Sequence, residues 1–310
     1  MEVVVQKGKK RTKFTKSILI GLISFILLFI IINFIPVKKH DDNDFIRIGS
    51  SSPDIIAHRG GAGIAPENTL EAFTLSESLG VDILEFDVRL SKDGQVIVIH
   101  DESIDRTTNG KGNVSDYTIE KLKSFDAGYQ FVGPDGSYPY RGKGITIPLL
   151  TEVLESFDHM PMVIELKEND TELADKFADI INHYNMENKV IVSSFYDEIA
   201  NYFYDITNGR VAISTASKTT KNFVILNELF LGNIYPLKEK AMQLPTHSSI
   251  FDLTTKRLID SAHERNIAVQ YWTINDTDMM EFLLEQGADG IMTDYPNKAI
   301  HLLRQKGVDE

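Results

Sequence analysis

Residues 83–100 read ILEFDVRLSKDGQVIVIH, and this stretch decides the fold. It contains two β-rich runs, 83–90 and 95–100, separated by four residues that favour a turn. Four residues are enough for a hairpin but too few for a crossover between parallel strands. We therefore expect the two runs to be antiparallel neighbours, with His100 opposite Glu85 unless a bulge in the turn shifts the register by one residue.

The rest of the chain beyond residue 53 alternates β-rich runs with helical patterns. Further strands are predicted at 54–58, 161–166, 189–195, 210–215, 240–244, 267–273 and 289–293. Helices are predicted at 68–79, 148–157, 170–185, 197–206, 219–230, 254–265 and 276–286. Repeated βα units form a parallel sheet, and eight strands remain without the hairpin strand, so this α/β pattern predicts a closed TIM (β/α)8 barrel. Residues 101–147, rich in glycine and turn formers, are expected to be an insertion that shapes a substrate pocket.

Residues 18–35 (ILIGLISFILLFIIINFI) are an uncharged apolar run near the N-terminus. As a helix the run would be roughly 27 Å long, close to the about 30 Å of a bilayer's hydrocarbon core. More basic residues precede it than follow it, which places the N-terminus in the cytoplasm and the bulk of the chain outside. A cleaved signal peptide and a buried core helix are the alternatives. The predicted organisation is a basic cytoplasmic segment 1–16, a transmembrane anchor 17–37, a linker 38–53 and an extracytoplasmic barrel domain 54–310.

Charge and composition exclude some function classes. The formal net charge is -13, although the first 40 residues contain eight basic residues and only one acidic residue, so the remainder is strongly acidic. An acidic domain of this kind is not expected to bind nucleic acid. The chain contains no cysteine, which excludes a disulfide framework and a thiolate nucleophile. Nothing in the sequence indicates an oligomeric state.

Three carboxylates occur on predicted strands where they can share one site. Glu85 and Asp87 are two residues apart on one strand, so their side chains project from the same face. Glu165 follows the apolar run 162–164 at the end of another strand. Carboxylates that lie close together repel each other unless a cation or a basic group lies between them. Three hard oxygen ligands predict one divalent cation, Mg²⁺ or Ca²⁺ rather than zinc, while salt bridges to basic neighbours are the structural alternative.

Two of the eight histidines, His58 and His100, stand at strand ends beside these groups. An unperturbed pKa near 6.5 suits both acid and base catalysis, so the pair is interpreted as the acid–base pair. The residues do not decide which is which, and His58 as base with His100 as acid is our working assignment. Arg59 follows His58 directly and can bind a phosphate through two N–H groups, and the glycines after it allow close backbone approach.

Several motifs resemble one enzyme family in their identity, order and spacing. They are His58-Arg59-Gly60, Pro66-Glu67-Asn68-Thr69, Glu85-Phe86-Asp87-Val88, Asp93-Gly94, His100-Asp101, Asp105-Arg106-Thr107-Thr108, Glu165-Leu166-Lys167, Ser193-Ser194-Phe195, Trp272-Thr273-Ile274-Asn275 and Asp289-Gly290-Ile291-Met292-Thr293-Asp294. Together they resemble the glycerophosphodiester phosphodiesterase family, and the likeness runs from residue 54 to about residue 303.

The resemblance implies a TIM-barrel enzyme that hydrolyses small-molecule glycerophosphodiesters to glycerol 3-phosphate and an alcohol. It also implies roles for particular residues: metal ligands Glu85, Asp87 and Glu165; catalytic residues His58, His100 and Arg59; and substrate contacts Arg59, Lys167, Phe195 and Trp272. The attacking group is either water or the glycerol 2-hydroxyl of the substrate, which would give a cyclic intermediate.

Other interpretations stay open at this level. Among enzymes they are a lysophospholipase D, a phosphatidylinositol phospholipase C-like activity and degradation of glycerol-phosphate wall polymers. An inactive barrel that only binds phosphodiesters is the non-enzymatic alternative. For single residues, Trp272 and Phe195 can be core residues, 66–69 can be only a helix start with Glu67 supporting the site, and 105–108 can be loop architecture.

Overall fold

The protein is described by a computed structural model that covers residues 2–41, 47–49 and 52–307, without the side chains of residues 2–15. Its first helix, α1 (Glu2–Asn33), includes an 18-residue window, Lys16–Asn33, that is long and apolar enough to cross a membrane and is not buried. The predicted linker, 38–53, lies partly outside the described residues. Its described parts include 38–41 and 47–49, which contact the barrel.

The described part of the chain contains nine strands. They are β1 (Asp54–Ala57), β2 (Ile83–Leu90), β3 (Val96–Val98), β4 (Met162–Leu166), β5 (Val190–Ser193), β6 (Ala212–Ile213), β7 (Ala241–Leu244), β8 (Ala268–Tyr271) and β9 (Gly290–Thr293). All pair in parallel, in the order β6-β5-β4-β2-β1-β9-β8-β7, except β3, which pairs antiparallel with β2. A bridge between Ser214 and Ala241 joins the two ends of this order. The predicted eight-stranded TIM barrel is thereby confirmed.

The remaining helices follow the strands. They are α2 (Leu70–Leu79), α3 (Ile119–Leu122), α4 (Leu150–Phe157), α5 (Thr171–His183), α6 (Asp197–Ile206), α7 (Ser217–Glu228), α8 (Lys256–His263), α9 (Thr277–Gln286) and α10 (Pro296–Gln305). The seven predicted helices are present with boundaries shifted by at most two residues. Two helices were not predicted: α3, a single turn inside the insertion, and α10, which begins at a proline.

The β2–β3 hairpin has the bulged register. Val88 pairs with Val98. Continuing this register, His100 would lie opposite Phe86 and not opposite Glu85. Gly94 in the turn has a φ of 71°, a conformation that glycine adopts at little cost and that accommodates the extra residue. Strand β3 ends at Val98, which leaves His100 just beyond the sheet.

Alternation along β2 positions the acidic residues. Leu84, Phe86 and Val88 belong to the hydrophobic layer between the strands and the helices, whereas Ile83 belongs to the cluster inside the barrel. Because strand side chains alternate, Glu85 and Asp87 follow Ile83 on the inner face. We call the end of the barrel at which the strands finish the top, and the end at which they begin the bottom. The insertion 101–147 packs a small hydrophobic core of its own over the hairpin.

Candidate active site

Three carboxylates converge inside the top of the barrel. Glu85 and Asp87 project from β2, and Glu165 on β4 lies directly beside Asp87 in the strand register. One oxygen from each residue lies within 4.8 Å of the other two. Oxygens that share one Ca²⁺ at about 2.3–2.6 Å can be at most about 5 Å apart, so the spacing meets that limit. The donor set therefore fits a hard divalent cation.

Burial makes this cluster unfavourable when no cation is bound. Glu85 is 4% exposed and Asp87 is 1% exposed. Burial raises the pKa of Glu85 to about 8, because the attraction of His58 is countered by the neighbouring carboxylates. Burial also raises the pKa of Glu165, against the opposing charge of Lys167. A cation would favour the ionised forms of these groups and offset their desolvation.

Two basic side chains flank the carboxylates. Lys167 Nζ lies 2.9 Å from Glu165 Oε1 and 3.6 Å from Asp87 Oδ1. Arg59 Nε lies 3.6 Å from Asp87 Oδ2, and this nitrogen is buried without a hydrogen-bond partner. The backbone N–H of Arg59 donates to Glu85 Oε2 at 2.7 Å. Salt bridges to basic neighbours are thus part of the arrangement. The carboxylates and the two basic side chains, Arg59 and Lys167, line the same cavity.

His58 is held by a chain of hydrogen bonds from the end of β9. Its Nδ1 donates to Asp294 Oδ1 at 2.6 Å, and Asn275 Nδ2 donates to Asp294 Oδ2 at 2.7 Å. Burial lowers the pKa of His58, but the charge of Glu85 and the hydrogen bond to Asp294 outweigh it, so the pKa is raised overall. With Nδ1 engaged, Nε2 is the nitrogen available for proton transfer.

His100 is held in the same way by its neighbour in the sequence. Its Nδ1 donates to Asp101 Oδ1 at 2.6 Å, and Arg89 Nε donates to the His100 carbonyl oxygen at 2.8 Å. Burial lowers the pKa of His100, although the charge of Asp87 and the hydrogen bond to Asp101 oppose this. His100 therefore also has Nε2 available.

Arg106 links the two sides of the site. Its Nε donates to Asp101 Oδ2 at 2.6 Å, and its terminal nitrogens donate to both oxygens of Glu67 at 2.6 and 2.8 Å. Glu67 also accepts a hydrogen bond from Arg59 Nη1 at 3.0 Å. Burial raises the pKa of Glu67, but the two arginines outweigh it and the pKa is lowered overall. Glu67 and Asp101 are thus ionised partners that connect His100 to Arg59.

A cavity of about 530 Å³ opens at the top of the barrel above these groups. Part of its lining is charged, and another part, which we call its apolar side, consists of aromatic and aliphatic side chains. Phe195 and Trp272 form this apolar side, with ring centroids 5.9 Å apart in an edge-to-face arrangement. Ile250 and Phe251, in the loop after β7, extend it.

Comparison with known proteins assigns this architecture to a family. The sequence model of the glycerophosphoryl diester phosphodiesterase family matches residues 58–298. The chain belongs to this family. A glycerophosphodiester phosphodiesterase of Caldanaerobacter subterraneus subsp. tengcongensis is 34% identical over 262 residues, which are 82% of this chain and 98% of that protein.

Two further relatives extend the comparison. A lysophospholipase D of Homo sapiens is 32% identical over 266 residues, which are 78% of this chain and 83% of that protein. Among solved structures, an Oleispira antarctica phosphodiesterase in complex with the product sn-glycerol-3-phosphate is 27% identical with a TM-score of 0.65, covering 84% of this chain and 98% of that one. One structural relative of this glycerophosphodiester phosphodiesterase family member has thus been solved with a phosphate monoester bound as its product.

Every site residue predicted from the sequence lines this same cavity of the phosphodiesterase family member. They are His58, Arg59, Glu85, Asp87, His100, Glu165, Lys167, Phe195 and Trp272. Phe195 is 51% exposed and is not a core residue, whereas Trp272 both lines the cavity and packs on the cluster inside the barrel.

Sequence reasoning missed the groups that orient the histidines. In the sequence, Asp294, Asn275 and Arg106 stand only as parts of motifs, and loop architecture is an open alternative for Arg106. Asp294 carried the same signal as Glu165, since both carboxylates stand at the end of an apolar strand. Arg106 carried no such signal, because it lies in the insertion and meets Glu67 only through the tertiary fold. Its neighbours in the motif are structural: Thr108 bonds to the Ile104 carbonyl within the loop.

Proposed function

We propose that this chain hydrolyses glycerophosphodiesters to glycerol 3-phosphate and an alcohol with one bound divalent cation. The observation that carries the proposal is the meeting of two carboxylate-held histidines and three carboxylates around one cavity. General acid–base chemistry needs both protonation states within reach of the substrate, and phosphoryl transfer needs positive charge around the phosphate. The charged wall of the cavity supplies both.

Each residue has a distinct part in the proposed reaction. His58 removes the proton of the nucleophile, either water or the glycerol 2-hydroxyl, and His100 protonates the departing alkoxide. Without a cation the pKa shifts of the two histidines run against this assignment, upward for His58 and downward for His100. The charge of Glu85 makes the largest upward contribution to the pKa of His58, and a cation bound to Glu85 would offset that charge. We propose the assignment for the metal-loaded enzyme, and it does not rest on these pKa shifts.

Glu85, Asp87 and Glu165 would hold the cation, Mg²⁺ or Ca²⁺. When bound, such an ion supplies positive charge that stabilises the phosphoryl oxygens in the transition state. Arg59 and Lys167 contribute further positive charge from the same wall. Phe195 and Trp272 offer apolar surface to the glycerol carbons or to the leaving alcohol.

The test is a substrate panel with full-length protein purified in detergent. It includes glycerophosphocholine, glycerophosphoethanolamine, glycerophosphoglycerol, lysophosphatidylcholine and polyglycerol phosphate, each with Mg²⁺ and with Ca²⁺. Release of glycerol 3-phosphate and free alcohol is the expected result. Binding of these diesters without release of any phosphomonoester would instead identify an inactive binding barrel.

A second candidate activity is that of a lysophospholipase D. The apolar side of the cavity, extended by Ile250 and Phe251, could take part of an acyl chain, and one relative of 32% identity is a lysophospholipase D. Lysophosphatidate and choline released from lysophosphatidylcholine, faster than glycerol 3-phosphate from glycerophosphocholine, would favour it. With phosphatidylinositol added to the panel, release of diacylglycerol would favour the phospholipase C-like alternative. Shortening of polyglycerol phosphate would favour the wall-polymer alternative.

We also propose that α1 anchors the protein in the cell membrane as a single pass. The supporting observation is the exposed apolar window Lys16–Asn33. Residues 1–16 would then be cytoplasmic, 17–37 the anchor, 38–53 the linker and 54–310 the extracytoplasmic barrel domain. Protease digestion of intact spheroplasts should degrade the barrel, while protection of the barrel until the membrane is opened would contradict this orientation.

A further inference from the structure

The end of α1 and the residues after it are bonded to the bottom of the barrel. Asn233 Nδ2 donates to the carbonyl oxygens of Ile32 and Ile35 at 2.5 and 3.3 Å. The backbone N–H of His40 donates to the Arg265 carbonyl oxygen at 2.9 Å. Asn233 and Arg265 lie shortly before β7 and β8, at the ends of the strands opposite the cavity. The chain therefore enters the barrel domain on the face that points away from the active site.

The membrane-crossing part of α1 does not lie along the barrel. Ile18, Leu22 and Phe25 are 57%, 55% and 66% exposed. Among the side chains described for α1, those of residues 16–33, partial burial begins near the end of the helix, at Phe29 and Ile32. Over residues 16–33 the helix thus meets the barrel at its last turns and leaves most of its apolar side chains exposed.

A group of exposed apolar side chains surrounds this junction. It consists of Phe34, Ile35, Leu229, Phe230 and Ile234, with exposures of 82%, 46%, 56%, 60% and 43%, and we call it the basal apolar corner. Ile234 belongs to the 3-10 turn Gly232–Ile234, which contacts α1 and contains Asn233. Several large apolar side chains exposed this close to the junction indicate a contact with a membrane or another apolar surface.

Phe230 has a backbone conformation that its side chain does not favour. Its φ is 60°, just after the end of α7, where glycine and asparagine are preferred. Among the described residues, six non-glycine positions have positive φ, and four of these six are asparagines. The Phe230 ring is mostly exposed, and Arg257 lies over it with its guanidinium carbon 4.6 Å from the ring centroid. An exposed aromatic in a conformation unfavourable for it indicates a contact outside the barrel.

We propose that the basal apolar corner inserts into the membrane interface beside α1 and holds the barrel with its active site facing away from the bilayer. The inference rests on the proposed membrane anchoring. Aromatic and aliphatic side chains beside basic residues favour the membrane interface. There the apolar side chains are buried among the lipids, and the basic groups reach the headgroups. Lys38 and Lys39 follow the helix and supply cations at the same corner, where Arg257, beside Phe230, pairs with Glu228. The substrates of the anchored enzyme are then diesters that arrive from the aqueous side, and not intact lipids of the bilayer that holds it.

Single labels can test this orientation, because the chain contains no cysteine of its own. Full-length Phe230→Cys and Ile250→Cys variants are each labelled with a fluorophore and reconstituted into phosphatidylglycerol–phosphatidylcholine vesicles that contain nitroxide-labelled lipid. Ile250 is at the cavity mouth and is 78% exposed. We expect the label at position 230 to lose fluorescence and the label at position 250 to keep it. Quenching at position 250, or none at position 230, would overturn the proposal.

A matched pair of substitutions separates membrane contact from folding. Phe230→Asn puts a residue that tolerates positive φ at the corner, and Phe282→Asn makes the same exchange at an exposed position of α9. In vesicles, Phe230→Asn should let a label at position 250 reach the lipid nitroxides and lose fluorescence, while Phe282→Asn should not. Equal behaviour of the two variants contradicts the proposal. Cross-linking of Phe230→Cys into a disulfide dimer in vesicles would also overturn it by identifying a second copy as the occupant.

Activity is measured separately, so that the two proposals can fail independently. Hydrolysis of glycerophosphocholine in detergent depends on the site and not on the corner, and it should be the same in wild type and Phe230→Asn. Loss of that hydrolysis in the wild type contradicts the proposed function, whereas normal hydrolysis with a quenched label at position 250 contradicts only the orientation.

Discussion

Asp87 and Glu165 lie side by side on neighbouring parallel strands, in register and both facing the inside of the barrel. Residues paired in this way have side chains close enough to repel when both are ionised. Lys167 contacts both carboxylates, which relieves part of this repulsion. The pairing joins two distant parts of the sequence into one donor set, and it makes a bound cation the simplest way to stabilise the site.

Removal of the cation should abolish activity. EDTA treatment is expected to eliminate glycerophosphocholine hydrolysis, because the carboxylates alone cannot stabilise the charge of the phosphoryl oxygens. Adding Mg²⁺ or Ca²⁺ should restore it, and should raise the free energy of unfolding by about 2.7 kcal/mol at 100 times the dissociation constant. Glu85→Gln should lose both responses. Full activity in EDTA would exclude a catalytic metal.

Replacing either histidine should remove most of the rate. His58→Ala and His100→Ala are each expected to lower kcat by about 10²–10⁴, the usual contribution of a positioned acid or base. His159→Ala is the control, since His159 is a surface residue that pairs with Glu77. Steady-state kinetics of the purified variants gives the answer. Near-normal kcat in either active-site variant would remove that residue from the mechanism.

Arg106 should act as a positioning residue for His100 and Arg59. Arg106→Gln breaks the link between Asp101 and Glu67 and is expected to lower kcat by about 10- to 100-fold, because small misplacements of catalytic groups are costly. Arg106→Lys should recover part of the loss. The control is Arg141→Gln, in the same insertion, where Arg141 stacks on Tyr138 instead. Thermal unfolding should change little, and a collapse of Tm in Arg106→Gln would indicate a folding role.

Phe195 should affect substrate binding more than chemistry. Phe195→Ala removes exposed apolar surface beside Trp272, so we expect KM to rise about 3- to 30-fold with a smaller change in kcat. Phe282→Ala removes a comparable exposed ring from α9 and should leave both constants unchanged. A fall in kcat at constant KM would place Phe195 in the chemical step instead.

Asp54 should make stability depend on pH. Burial and the charge of Asp82 raise its pKa from 3.8 to about 7, and its Oδ2 has no hydrogen-bond partner. The folded chain therefore binds a proton that the unfolded chain has lost between about pH 4 and pH 7, so stability falls as pH rises through this window. Asp54→Asn should be more stable than wild type above pH 7, by on the order of 2–4 kcal/mol, and equal to it near pH 4.

Denaturant titrations at several pH values test this prediction. Asp179→Asn, on the exposed face of α5, is the control and should reproduce the wild-type curve. If Asp54→Asn retains the wild-type slope of stability against pH, Asp54 is not the group responsible.

Much of the fold followed from local patterns. The hairpin strand 83–90 is predicted at its observed bounds, because the alternation of acidic and apolar residues is typical of a strand with one face turned to the barrel interior. The short strand β6 was predicted as 210–215 but covers only Ala212–Ile213, because strand length depends on the neighbours available for pairing. Helix α10 was missed, although its N-terminal proline is a typical helix start.

The sequence by itself determined the barrel, the inner-facing carboxylates and the two histidines, because strand periodicity and the residue types at strand ends are local properties. Only the tertiary structure decided the hairpin register, the partners Asp294 and Arg106, and the attachment of α1 to the bottom of the barrel. Those features depend on contacts between residues far apart in the chain. Such contacts are determined by how the strands and helices pack and not by any local sequence pattern.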